Sequence, residues 1–222
     1  MPRTALVTGA NRGIGRAVAQ LLRSEGLAVV VAGRDEASIR EVAEALGATP
    51  LRVDVRDAAA VEQAAQRAGH VDVLVNNAAI LDEGQDPVTE DPERVTAIVD
   101  TNLLGAWWTC RAFLPGMLAR DWGRIVNVSS GAGSFAGGLW PAAPAYSVSK
   151  AALNALTLVL ADRLEGTNVK VNAADPGTVA TRMAPYASRT PEQAAEHIAT
   201  LALLPDDGPS GGFFHEGRPE PW

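Results

Sequence analysis

Short apolar runs alternate along this chain with longer stretches whose apolar positions recur every three or four residues. "TALVT" (4–8) reads as a short buried strand. Behind it, "GIGRAVAQLLRSEG" carries Ile14, Val18, Leu21 and Leu22 at helical spacing and stops at Gly26. "LAVVVAG" (27–33) is a continuous β-branched run, typical of a strand covered on both faces. Asp35 stands where it can cap a helix running to about Leu46. "TPLRVDV" (49–55) and "VDVLVNN" (71–77) predict two more strands, with the helix "AAAVEQAAQRAG" between them. Asp91-Pro92 opens a helical pattern that continues, with interruptions, to about Arg120. "GRIVNVSS" (123–130) predicts a fifth strand, residues 143–166 a long helix, and "NVKVNAA" (168–174) a sixth strand. Thr190-Pro191-Glu192-Gln193 resembles a capping box opening a last helix, and "GGFF" reads as a short seventh strand.

Strands alternating with helices of this length predict one α/β domain over 1–222, its mostly parallel sheet of six to seven strands covered by helices on both faces. A Gly/Pro/Ala-rich loop, "GAGSFAGGLWPAAPA" (131–145), falls inside it. Loops of this length often carry function. Composition narrows the partners. The net charge of −7 repels phosphate backbones, which argues against nucleic acid, although local basic sites can still hold a small anion. The lone Cys110 allows no internal disulfide and suits a reducing compartment. The opening "MPRTALVTG" shows no charged-then-apolar leader, and no apolar run reaches the length of a membrane span. The expectation is a cytoplasmic protein with no membrane partner.

Several clusters carry chemistry. "TGANRGIG" (8–15) joins the first strand to a helix, so its glycines and the free N–H groups of the helix start suit a diphosphate. A ligand-free strand–helix turn is the plain alternative. Asp54 either meets an adenine amino group or caps a loop. "NNAA" (76–79) either ties strands together or lines a crevice. Asn102 sits in an apolar helix and needs buried partners. "DPG" (175–177) makes a sharp turn at the sheet edge where such folds bind ligands. Tyr146 and Lys150 lie four residues apart, on one face of a helix. There the ammonium either tunes the phenol or lends its stem to a surface stack. His70, His197 and His215 show no metal spacing, which argues against a metal-dependent hydrolase.

Taken together, "TGANRGIG", "NNAA", Asn102, "VSS", "YSVSK" and "DPGTVAT" resemble, in order and spacing, the motifs of the short-chain dehydrogenase/reductase family over essentially the whole chain. The ending "LPDDGPSGGFFHEGRPEPW" is similar to that of carbonyl-reductase-type members. The resemblance implies a Rossmann-type, doubly wound fold and an NADP(H)-dependent enzyme acting on a small carbonyl or alcohol. It implies Tyr146 as general acid, with Lys150 lowering the phenol's pKa and holding the nicotinamide ribose. Ser130 would orient the carbonyl, in preference to Ser129, and Asn102 would anchor a water in a proton relay. Thr8, Gly9, Asn11, Arg12, Gly13, Ile14 and Gly15 match the diphosphate turn, and Asp54 and Val55 the adenine pocket. Asn76 and Ala78 match the cofactor edge, and Pro176, Gly177, Val179 and Thr181 the turn that grips the carboxamide. Members of the family pair through the helices at 92–120 and 145–165, whereas an insertion such as "LWPAAP" accompanies monomers, so both states stay open. A short segment from Met183 to Arg189 implies an open site. Ser134, Phe135, Leu139, Trp140, Met183 and Tyr186 are candidates for its lining.

Cofactor choice turns on the ribose 2′ position. Arg34, just past Gly33, has a fork that suits a phosphate, and Arg12 resembles a second basic residue of NADPH-using members. Asp35 is the competing acid, assigned here to the helix cap. The rival to an enzyme is a catalytically silent NADP(H)-binding sensor or scaffold; the presence of Asn102, Ser130, Tyr146 and Lys150 together argues against it.

Overall fold

The computed structural model describes residues 2–81 and 83–222. Eight strands form one sheet: β1 (Thr4–Thr8), β2 (Ala28–Gly33), β3 (Thr49–Arg52), β4 (Val73–Asn76), β5 (Gly123–Val128), β6 (Val169–Asp175), β7 (Phe213–His215) and β8 (Arg218–Glu220). Their spatial order is β3-β2-β1-β4-β5-β6-β7-β8, and every neighbouring pair is parallel except β7 with β8. The chain therefore steps outward one way from β1 and then resumes on its other side at β4. That reversal opens a crevice beyond the carboxyl ends of β1 and β4.

Among the described residues seven α-helices cover the sheet: α1 (Gly13–Ser24), α2 (Glu36–Leu46), α3 (Ala58–Ala68), α4 (Pro92–Val99), α5 (Gly105–Ala119), α6 (Pro144–Arg163) and α7 (Pro191–Ala202). Strand side chains alternate between faces, and both faces are apolar. Ala5 and Val7 of β1 pack with Val18 and Leu22 of α1, Val42 of α2 and Ile198 of α7. Leu6 faces the other way, among Val61 of α3 and Cys110, Phe113 and Met117 of α5. The predicted caps form. Asp35 accepts from Ser38 N at 2.8 Å, Asp91 caps a helix with Pro at its start, and Thr190 and Gln193 make a reciprocal capping box.

Three boundaries differ from the sequence reading. β3 ends at Arg52, although Val53 N still donates to Gly33 O and Val53 and Val55 turn inward. The 92–120 pattern divides into α4, a π-helical turn at Asp100–Leu104, and α5. The wide turn seats Gly105 against Val55, where a side chain would stand 2.6 Å from the valine methyl. The eighth strand went unforeseen because its three residues, Arg-Pro-Glu, are all exposed and carry no apolar alternation.

Candidate active site

A cleft of about 630 Å³ opens at the crevice between β1 and β4. Its floor is the turn after β1. Gly9 holds φ +64°, and a side chain there would reach Ala78 Cα at 3.0 Å. At Gly15 an added Cβ would overlap the Asn77 amide nitrogen and stand 2.5 Å from Gly9 O. Only bare backbone fits, so the turn packs directly against Asn77 and Ala78. Helix α1 starts there with Arg12 as an N-cap that makes no side-chain bond, and no acid sits in its first turn. Its leading N–H groups are thus open to an anion.

Not every residue matched to the cofactor lies on the wall. Thr8 is buried; its hydroxyl accepts from the backbone N–H of Asn77 and Ala78, both at 3.0 Å, tying β1 to β4. Asn76 points into the interior. It donates to Asn127 Oδ1 at 2.9 Å and accepts from the Thr109 hydroxyl at 2.6 Å. The next residue, Asn77, lines the cleft and donates to Thr8 O at 2.9 Å. The sequence pattern could not separate the two amides, because one residue of register reverses a strand's faces. Ala78, Ala79 and Ile80 continue the wall.

At the far end, Asn11, Arg12, Arg34, Asp35, Asp54 and Val55 line the cleft. Arg12 and Arg34 are exposed and make no ion pair among the described residues. Asp35 also lies there, but its carboxyl is held below the usual range by hydrogen bonds from Ser38. The Asn11 amide donates to the Ser38 hydroxyl at 3.1 Å, joining the turn to this cap. Asp54 forks with Arg56 at 2.6 Å, and that pairing lowers its pKa.

The opposite end is built by β5, α6 and the turn after β6. Tyr146 and Lys150 line the cleft from α6. Ser130 lies beside Tyr146 and lowers the phenol's pKa, favouring the phenolate. Ser129 is instead buried, its hydroxyl donating to Asn154 Oδ1. Of the two serines, Ser130 is the one beside the tyrosine. The Lys150 ammonium donates to Val128 O at 2.7 Å and lies 5.5 Å from the Tyr146 ring centroid. The expected downward tuning of the phenol is not what the protein alone produces. Burial pushes Tyr146 up to about 12, Ser130 opposes this, and the charge of Asp175 adds to it. Burial also pulls Lys150 down to about 8, against the pull of Asp175. Desolvation dominates at the phenol, and the Lys150 ammonium donates to the Val128 carbonyl. Part of the tyrosine ring stays open to the cleft.

Asn102 lies off the wall in the π-helical turn. Its carbonyl accepts from Ile80 N, and its amide donates to Ile80 O and to the Ser149 hydroxyl. A side chain so engaged steadies the Ile80 segment and α6. Beyond β6, Pro176 and Thr181 line the cleft, and Thr181 packs over Gly13. Gly177 and the buried Val179 shape the turn behind that wall. Of the six residues considered for substrate, only Met183 lines this cleft. Ser134 is buried and bonds Pro221 O, while Phe135 and Tyr186 are largely exposed. The sequence reading passed over Asp175 as a charge: "DPG" read as a turn, yet its carboxylate lies against Gly131, next to Ser130.

Residues 3–192 match the family described as short chain dehydrogenase. Oxidoreductase UcpA of Salmonella typhimurium is 37% identical over 196 residues, covering 84% of this chain and 73% of that protein. Among solved structures, a 3-oxoacyl-(acyl-carrier protein) reductase from Brucella melitensis superposes with a TM-score of 0.89 at 29% identity, covering 96% of this chain and 89% of that one. A metagenomic short-chain oxidoreductase in complex with NADP gives 0.84 at 31%, covering 96% of each chain.

Proposed function

The chain belongs to the short-chain dehydrogenase/reductase family and is an oxidoreductase, and from that premise we propose that it reduces a ketone or aldehyde to an alcohol, reversibly, with NADPH preferred to NADH. The observation that carries this reading is the meeting of Tyr146 and Lys150 with the glycine turn on one cleft. The residues present fit a dinucleotide. Gly9, Gly13 and Gly15 bring bare backbone to the cleft, and the uncapped start of α1 lies there. Arg12 and Arg34 would hold a 2′-phosphate, Asp54 and Val55 the adenine, and Pro176 and Thr181 the carboxamide. NADP in a structural relative is in keeping with this. When bound, the cofactor supplies the hydride.

The chain's own part is positioning and the proton. Ser130 orients the carbonyl oxygen toward Tyr146, whose phenol delivers the proton. With Tyr146 near 12 and Lys150 near 8, both are protonated at neutral pH, the state that reduction needs. The reverse reaction needs a phenolate, which burial opposes. Tyr146→Phe tests the assignment. With a panel of carbonyls and both reduced cofactors, NADPH affinity should hold while turnover falls about 10²–10⁴-fold, the usual worth of general acid catalysis. Turnover within a few-fold of the parent would sink it.

A further inference from the structure

We propose that the residues after β8 clamp the catalytic end: Pro221 and Trp222 hold the far side of the turn that follows Ser130, and so fix the direction of the Ser130 hydroxyl. Trp222 and Ser134 are thereby positioning residues for the carbonyl. The inference rests on the reading of Ser130 as the group that orients it.

Hydrogen bonds lead from the serine to the tail. Ser130 Oγ accepts from Ala132 N at 3.2 Å, at the head of a short 3-10 turn, Gly131–Gly133. That bond uses a lone pair of the hydroxyl and leaves its proton for another partner. Gly133 N donates to Ser130 O and Ser134 N to Gly131 O, both at 3.0 Å, which closes the turn. The buried Ser134 comes next. Its hydroxyl donates to Pro221 O at 3.1 Å and accepts from Gly137 N at 3.0 Å. Two residues on, Ala136 N donates to Trp222 O at 3.0 Å. The tail thus grips the loop on both sides of the exposed Phe135.

The tail has an anchor of its own. β8 pairs antiparallel with β7, Glu220 opposite Phe213. All three β8 residues are exposed, so the strand adds nothing to the core. It carries the chain to Pro221 and Trp222. The Trp222 ring stacks on the buried Phe213, centroids 5.5 Å apart and planes at 22°. β7 neighbours β6, whose end leads into the Pro176 wall of the cleft. The clamp therefore ties the turn after β5 to a strand beyond β6. From the inner side the turn is held by Asn154 of α6, which donates to Gly133 O at 3.1 Å, and a Cβ on Gly133 would stand 2.6 Å from the Lys150 carbonyl carbon. With the inner edge fixed, the tail sets the tilt of the outer edge, and the bond from Ala132 N passes that tilt to the Ser130 hydroxyl. Misplacing a reacting group by about 1 Å costs up to about 10²-fold in rate.

Trp222→Ala removes the stack and keeps the backbone carbonyl. Trp222→Phe keeps an aromatic ring on Phe213, and Ser134→Ala removes the bond to Pro221 O. Hydrogen exchange followed by mass spectrometry reads the clamp without turnover. Residues 131–143 should exchange faster in Trp222→Ala and Ser134→Ala than in the parent or Trp222→Phe, with α1 and β5 alike in every protein. The same preparations are assayed for carbonyl reduction with NADPH. kcat/KM for the carbonyl should fall about 10- to 100-fold in Trp222→Ala and Ser134→Ala and stay near the parent in Trp222→Phe. NADPH affinity by calorimetry should hold, because the glycine turn lies between β1 and α1. Unchanged exchange overturns the clamp. Faster exchange with kcat/KM within a few-fold of the parent overturns the positioning role, as does a loss shared with NADPH affinity and with exchange at α1. A parent that reduces no carbonyl overturns the reading of Ser130 and the positioning role with it. The exchange data still show whether the clamp exists, so the two failures are distinct.

Discussion

Lys150 offers a direct measure of how strongly burial governs this site. Its side chain is 2% exposed, and burial brings its pKa from 10.5 to about 8. In the unfolded chain the amine keeps its ordinary affinity. Between about pH 8 and pH 10.5 the unfolded chain therefore holds a proton that the native chain has released, and stability rises with pH across that window. Below it the ammonium stays buried and the full cost is present; above it the cost is gone. At 1.36 kcal/mol per unit, the fall from 10.5 to about 8 corresponds to about 3 kcal/mol. Lys150→Met removes this dependence. It also strands Val128 O, which accepts the ammonium at 2.7 Å, at a cost of about 1–3 kcal/mol that does not vary with pH. The two effects separate as a slope and an offset. Tyr146, raised to about 12, makes stability fall as pH rises above about 10, but it is common to both proteins and cancels in the difference. Urea unfolding from about pH 7 to pH 10.5 should show the parent gaining about 3 kcal/mol on the variant. Parallel curves, separated by an offset alone, would refute the claim that Lys150 is held as a desolvated cation.

Three further substitutions test the packing and the cleft. Gly15→Ala should cost about 1–3 kcal/mol by crowding and weaken cofactor binding by calorimetry, because Asn77 cannot swing away without leaving Thr8 O. Gly116→Ala in α5 meets only Arg120 Nη1 at 3.3 Å, the end of a side chain bonded to His70, Val71 O and Asp72, so a small displacement should offset part of a helix-propensity gain of up to about 1 kcal/mol; equal losses at the two sites would discredit the packing argument. Arg34→Ala should lower kcat/KM with NADPH about 10- to 100-fold, the worth of one hydrogen bond to a charged group, and leave NADH nearly unchanged. A parent that uses NADH as well as NADPH would assign the ribose to Asp35 instead.

The sheet was legible where a strand is buried on both faces: β2 is an unbroken apolar run, β1 carries Ala5, Leu6 and Val7 in a row, and β5 and β6 keep valines and an isoleucine between isolated polar residues. Caps were legible too, because Asp35, Asp91 and Thr190 act on backbone within three residues of themselves. β8 was not, for its place depends on pairing with β7 and on nothing in its own pattern. Within the site, the motifs found the cleft but not the direction of each side chain. Asn76 and Asn77 differ by one position and face opposite environments, and Thr8 and Asn102 spend their polar atoms on holding backbone. The protonation of Tyr146 was out of reach for another reason. Spacing shows that a lysine is near, whereas the balance of burial against charge depends on where Nζ points and on Asp175, which is close only in space.

The buried contact between Asn76 and Asn127 has a consequence for how the chain finds its fold. These two residues are register partners on β4 and β5, and the chain of bonds runs on from Asn127 to the Thr157 hydroxyl and from Asn76 to that of Thr109. The strands are parallel and joined by a long crossover, so no hairpin turn can align them. Their apolar residues offer little help, since a slip by two positions returns valine or isoleucine to the same face. Such a slip would part the two amides and bury several polar groups without partners, at about 1–3 kcal/mol each. The asparagines thus act as an alignment mark at the centre of the sheet, where an error would displace Tyr146 and Lys150 relative to the glycine turn.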